Sequence, residues 1–78
     1  MSRREYPYHV KHFVRPLADR ADLVLEIAAF ERHYGRRGFR YEESENEREA
    51  CLDIYATDAA LARMLRKGYD PTGHKTLF

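Results

Sequence analysis

Between Asp19 and Gly35 the apolar residues Leu23, Ile27, Phe30 and Tyr34 recur at steps of four, three and four. That spacing lines one face of an α-helix and no face of a strand. Val24 and Ala28 flank the stripe. The spacing predicts a helix over Asp19–Tyr34, with Asp19 as N-cap and Asp22 in the first turn, where the helix dipole favours anions. Gly35 then suits the C′ position, and Arg32 and His33 sit in the last turn, where cations are favoured.

A helix with one apolar stripe needs something to pack on, and the segments around it read as strands. Tyr6 to Arg15 alternates, with Tyr8, Val10, His12 and Val14 expected on one face and His9, Lys11, Phe13 and Arg15 on the other. Pro7 suits an edge position, and Pro16 stops the ladder. Phe39–Glu43 and Glu49–Ala56 are expected to form a hairpin. Its turn is Ser44-Glu45-Asn46-Glu47, with Asn46 able to take a left-handed conformation. In the second strand Ala50, Leu52, Ile54 and Ala56 share one face; Cys51, Asp53 and Tyr55 share the other. Thr57 or Asp58 opens a second helix to about Lys67, striped by Ala60, Leu61, Met64 and Leu65 and ended by Gly68. Tyr69 is placed to pack back on its last turn. Asp70-Pro71-Thr72-Gly73 reads as a turn, and His74–Phe78 as a short final strand. The order is β-α-β-β-α(-β). The expected fold is therefore an α+β, ferredoxin-like sandwich with two helices on one face of an antiparallel sheet. Val10, Val14, Leu52 and Ile54 are expected to meet the helices.

At 78 residues the chain is read as one small domain, with residues 1–5 as a flexible N-terminus. Such a chain buries only about 60–65% of its unfolded surface, so its own core is modest. Six Tyr and four Phe are enough for a globular core. The formal net charge of +1 suits neither a strongly basic nucleic-acid binder nor an acidic DNA mimic. A single cysteine, Cys51, forbids an internal disulfide and a thiolate zinc cluster, and a cytoplasmic setting is expected. No apolar h-region follows the positive start, and no apolar run is long enough for a bilayer, so no membrane association is expected.

Charge is distributed unevenly. Arg32, Arg36, Arg37 and Arg40 precede Glu42, Glu43, Glu45, Glu47 and Glu49, with only Arg48 among the glutamates. Arg36 and Arg37 lie between two glycines, where guanidinium groups can grip a phosphate or carboxylate. The glutamates would form a docking finger for a basic groove; their plainer role is to keep an edge hairpin from aggregating. Arg40 is expected to pair across the hairpin with Glu47 or Glu49. Five residues of strand would hold the two blocks roughly 15 Å apart. The partner-binding residues are therefore Glu42, Glu43, Glu45, Glu47, Arg36, Arg37 and Arg40.

The open sheet face is a second candidate surface. His9, Lys11, Phe13, Arg15 and Tyr55 are expected there, able to stack single-stranded RNA or DNA or to cover a second copy in a homodimer. Arg37-Gly38-Phe39-Arg40-Tyr41 follows the start of the aromatic signature of the RNA-recognition motif. It departs from it at Arg40, where a small residue belongs, and it falls on the second strand instead of the third. No membership is inferred.

No catalytic residue, cofactor or metal is expected. His9 and His12, three apart on a strand, should face opposite ways and share no ion. No His-Glu-x-x-His pattern, phosphate-cradling loop or nucleophile elbow occurs. Cys51 beside Asp53 is not set up as a nucleophile. The expected function is a non-catalytic macromolecule-binding or regulatory protein acting on a protein partner with a mixed or basic surface. A stoichiometric inhibitor of the phage anti-CRISPR kind has such a profile, by analogy alone. The alternatives are a single-stranded RNA or DNA binder on the open face, and a small metal-independent ribonuclease using His9 with Lys11 and Arg15.

Overall fold

The computed structural model describes residues 5–70. The expected final strand His74–Phe78, most of the Asp70–Gly73 turn and residues 1–4 lie outside the described residues. Strand β1 (Tyr8–Pro16) leads through a 3-10 turn at Leu17–Asp19 into helix α1 (Asp22–Tyr34). Strands β2 (Phe39–Glu45) and β3 (Glu49–Ala56) form the hairpin, and helix α2 (Asp58–Arg66) follows. The result is a small α+β fold. A three-stranded antiparallel sheet in the order β1-β3-β2 carries both helices on one face. Among the described residues, no helix is long and apolar enough to cross a membrane.

The core is the stripe of α1 laid on the inner face of the hairpin. Val10, Leu52, Ile54, Ala56, Ala60 and Met64 are completely buried, joined by Leu23, Phe30, Phe39 and Ala50. The Phe30 ring meets Phe39 edge-on at 4.8 Å and packs against Tyr34 at 5.0 Å. Such aromatic pairs add to the area they bury.

Local chemistry sets the ends of the elements. Helix α1 starts later than its spacing suggests, because Asp19 is spent in the 3-10 turn and Ala21 holds the N-cap without a side-chain bond. At its far end, Gly35 takes a φ of +89°. The last carbonyls of α1 are satisfied from α2 and its C-cap: Arg63 donates to the carbonyl of Tyr34 and Lys67 to that of His33, and Arg63 also reaches the Arg37 carbonyl in the loop that follows. Cations at that terminus answer both the open carbonyls and the helix dipole. Helix α2 is capped by Thr57, whose hydroxyl accepts from the Ala60 N–H at 3.1 Å. It ends at Gly68 (φ +94°), with the Tyr69 N–H returning to the Met64 carbonyl at 3.0 Å. That is the expected ending, and Tyr69 is buried against it.

The hairpin turn differs from expectation. Among the described residues only glycines have a positive φ, so Asn46 is not left-handed. Its side-chain oxygen instead accepts from the N–H groups of Arg48 and Glu49 at 2.7 and 2.8 Å. This is the turn-mimicking bond that Asn makes with its own backbone. It lets β2 run on to Glu45.

Strand β1 is not regular. His9 pairs with Tyr55, but Lys11 already pairs with Ile54, so Val10 is the extra residue of a β-bulge. A bulge inserts one residue and exchanges the faces of everything beyond it. Lys11, Phe13 and Arg15 therefore lie opposite Ile54, Leu52 and Ala50, on the helix-bearing side. Phe13 packs against the core, and Arg15 forms an ion pair with Glu26 of α1. Val14 turns outward and is 37% exposed. The bulge is pinned from outside the sheet, because the Tyr69 hydroxyl donates to the Val10 carbonyl at 2.9 Å.

Candidate functional site

The bulge corrects the expected open face. His9, Lys11, Phe13, Arg15 and Tyr55 do not form one surface. Only His9 and Tyr55 remain on the face away from the helices, and Lys11, Phe13 and Arg15 leave it. A ribonuclease site combining His9 with Lys11 and Arg15 is not assembled, and neither is a stacking platform of Phe13 with Tyr55. In their place the face receives His12 and Val14, beside Cys51, Asp53 and Tyr55 of β3.

The separation of His9 from His12 is corrected as well. With one extra residue between them, both rings come to the same carboxylate. His9 Nε2 lies 2.8 Å from Asp53 Oδ1, and His12 Nδ1 lies 2.6 Å from the same oxygen. An ionised carboxylate can only accept, so both ring nitrogens donate. That places a proton on His9 Nε2 and one on His12 Nδ1. The His9 ring also packs on Tyr55 at 5.0 Å. Access is graded: the side chain of His9 is 11% exposed, that of Asp53 25% and that of His12 47%. All three residues project from β1 and the central β3, so the geometry is held by paired strands and not by a loop.

Burial on its own pushes the Asp53 carboxyl up. Hydrogen bonds from His12 and His9, with their positive charge, overcome it and hold Asp53 below its ordinary value of 3.8. A carboxyl depressed in the folded state stabilises the fold above its unfolded pKa, and that contribution is lost as pH falls through the folded value. A carbon-detected NMR titration of Asp53 should therefore show a midpoint below 3.8 in the wild type and a higher one in His12→Ala. An unchanged midpoint would mean that His12 does not hold the carboxylate.

The charge blocks are placed as follows. Arg36 is 85% exposed and approaches Glu31 only at 3.6 Å, and Arg37 is exposed. Arg40 pairs along its own strand with Glu42 at 3.2 Å, and not across the hairpin with Glu47 or Glu49. Alternate residues of one strand share a face, which makes Glu42 the nearer partner. Glu45 reaches Arg20, just before α1, at 3.1 Å on the surface. Glu43, Glu47 and Glu49 are exposed, and no ion pair engages them among the described residues. An open groove of about 510 Å³ runs between the start of α1 and the hairpin, lined by Arg20, Leu23, Val24, Glu43, Glu45 and Ala50. Val24 in that lining is 63% exposed, and Leu25, the next residue of α1, is 67% exposed.

The sequence reading missed the His9–His12–Asp53 cluster because strict alternation was carried through Val10. The signal available was the pair of histidines itself, since one inserted residue in β1 is all that brings them together. Comparison with protein-family models, with curated proteins and with solved structures finds no match.

Proposed function

We propose that this domain is a non-catalytic binding protein that docks a protein partner through the acidic side of its hairpin. One observation carries the reading: Glu43, Glu47 and Glu49 stand exposed with no cation engaging them among the described residues. Unpaired like charges on one hairpin raise the local potential and steer a basic surface toward it. Exposed Val24 lines the same groove as Glu43 and supplies apolar area there, so one contact would combine steering with desolvation. Arg36 and Arg37 form a second, separate point of opposite sign. A partner with a mixed-charge or basic surface fits this arrangement, and a stoichiometric inhibitor works in this way.

For the fold we keep the ferredoxin-like plan as part of the proposal. What supports it is a central β3 flanked on both sides by antiparallel neighbours, with both helices on one face. The plan needs a fourth strand, for which the sequence offers His74–Phe78.

The test is quantitative capture from lysate of the source cell, followed by mass spectrometry. The bait is wild-type protein or a Glu43→Lys, Glu47→Lys double variant. Glu45 is left alone because Arg20 already pairs with it. The partner should be recovered with wild type, be released by salt, and bind the variant at least about tenfold more weakly, the order of change expected when two rim charges reverse sign. Equal recovery on a folded variant would exclude the hairpin as the docking element.

A further inference from the structure

We propose that His9 Nε2, His12 Nδ1 and a carboxylate oxygen of Asp53 form a three-ligand site for a zinc-class divalent cation on the sheet face opposite the helices. The candidate ligand atoms all lie within 4.8 Å of one another. Tetrahedral zinc, with bonds of about 2.0–2.2 Å, holds its ligand atoms roughly 3.3 Å apart. The present contacts of 2.6 and 2.8 Å are hydrogen bonds made directly across that space. A cation enters by replacing them: the carboxylate withdraws about half an ångström, and the two ring nitrogens, within 4.8 Å of each other, close to about 3.3 Å by rotation about their side-chain torsions.

Two imidazoles and one carboxylate favour zinc and its first-row neighbours over magnesium or calcium, which take oxygen ligands. Each histidine ligates through the nitrogen that now donates to Asp53. On binding, that nitrogen gives up its proton to solvent, and each ring ligates as a neutral imidazole with its proton on the other nitrogen. Asp53 stays ionised and supplies the negative charge. Three protein ligands leave a fourth position, and the 47% exposure of His12 opens that position to solvent. The bulge is what makes the site. Without Val10 as the extra residue the two rings would stand on opposite faces, and the Tyr69 hydroxyl on the Val10 carbonyl holds the bulge in place. The proposal is independent of the docking role of the hairpin, since it uses none of the same residues.

The simpler role for these residues is a polar cluster that only ties β1 to β3. A zinc titration separates the two. The full chain, stripped with chelator, is titrated with Zn²⁺ by calorimetry and by NMR of the histidine ring nitrogens. One equivalent should bind, shifting the ring signals of His9 and His12 and not those of His33, at the end of α1. His12→Ala, at an exposed position, and Asp53→Asn should each weaken binding at least about 100-fold, the upper range seen even for loss of a supporting residue. His33→Ala should bind as wild type does. The proposal is overturned if no stoichiometric binding occurs, if the ring signals of His9 and His12 do not move, or if folded His12→Ala binds zinc as tightly as wild type. The wild-type NMR result decides the matter even if a variant fails to fold.

Discussion

Gly38→Ala is expected to lower the folding free energy by about 2–5 kcal/mol, read as a fall in the urea midpoint at unchanged slope. Gly38 has a φ of +89°, where a side chain costs about 1–2 kcal/mol. A Cβ there would also stand 2.8 Å from both the Ala60 Cβ and the Thr57 Oγ1. Neither neighbour can yield freely. Ala60 is completely buried in the core, and the Thr57 hydroxyl is bonded to the Ala60 N–H as the cap of α2. The Gly38 carbonyl also accepts from the Thr57 N–H at 3.0 Å, which fixes the approach of the two chains. Overpacking of this kind adds about 1–3 kcal/mol. In a chain this small, such a loss takes most of the available stability. Gly68→Ala is the control. Its φ is +94°, but nothing lies within 4 Å of the added carbon, so only the backbone cost applies. Equal losses at the two glycines would show that the contact with α2 does not matter.

The contrast between those glycines also shows how far the sequence could be read. Gly35 and Gly68 announce helix ends from their position after an apolar stripe, and the structure uses them so. Gly38 carries no such local signal, because its need arises from α2, twenty residues further on. The stripe of α1 and the alternation of β3 were legible for the same reason: each is a local period imposed by one buried face. Arg63 and Lys67 reach the last carbonyls of α1 across the fold, so no local pattern near Gly35 points to them. The bulge was hidden most completely. Val10 is β-branched and apolar, a residue suited to a regular strand, and nothing beside it breaks the alternation. What selects the bulge is tertiary: it buries both Val10 and Phe13 toward the helices and brings two histidines to Asp53.

Phe13→Ala is therefore expected to be costly and Val14→Ala cheap, the reverse of what unbroken alternation implies. Phe13 lies opposite Leu52 on the helix side and packs against the core while remaining partly accessible. Truncating a fully buried Phe costs about 3–5 kcal/mol, so about 2–3 kcal/mol is expected for this half-buried ring. The guanidinium of Arg15, 5.9 Å from the ring centroid, would lose its apolar support at the same time. Val14 lies opposite Cys51 and is 37% exposed, so its truncation should cost less than about 1 kcal/mol. Urea unfolding of the two variants gives the order directly. Should Val14→Ala prove the more damaging, β1 runs without a bulge, and His9 and His12 cannot both reach Asp53. The same pair of measurements thus decides whether the residues proposed to hold a cation share a face at all, before any metal is added. It does so through stability alone, using two apolar side chains that contribute no ligand to the cluster.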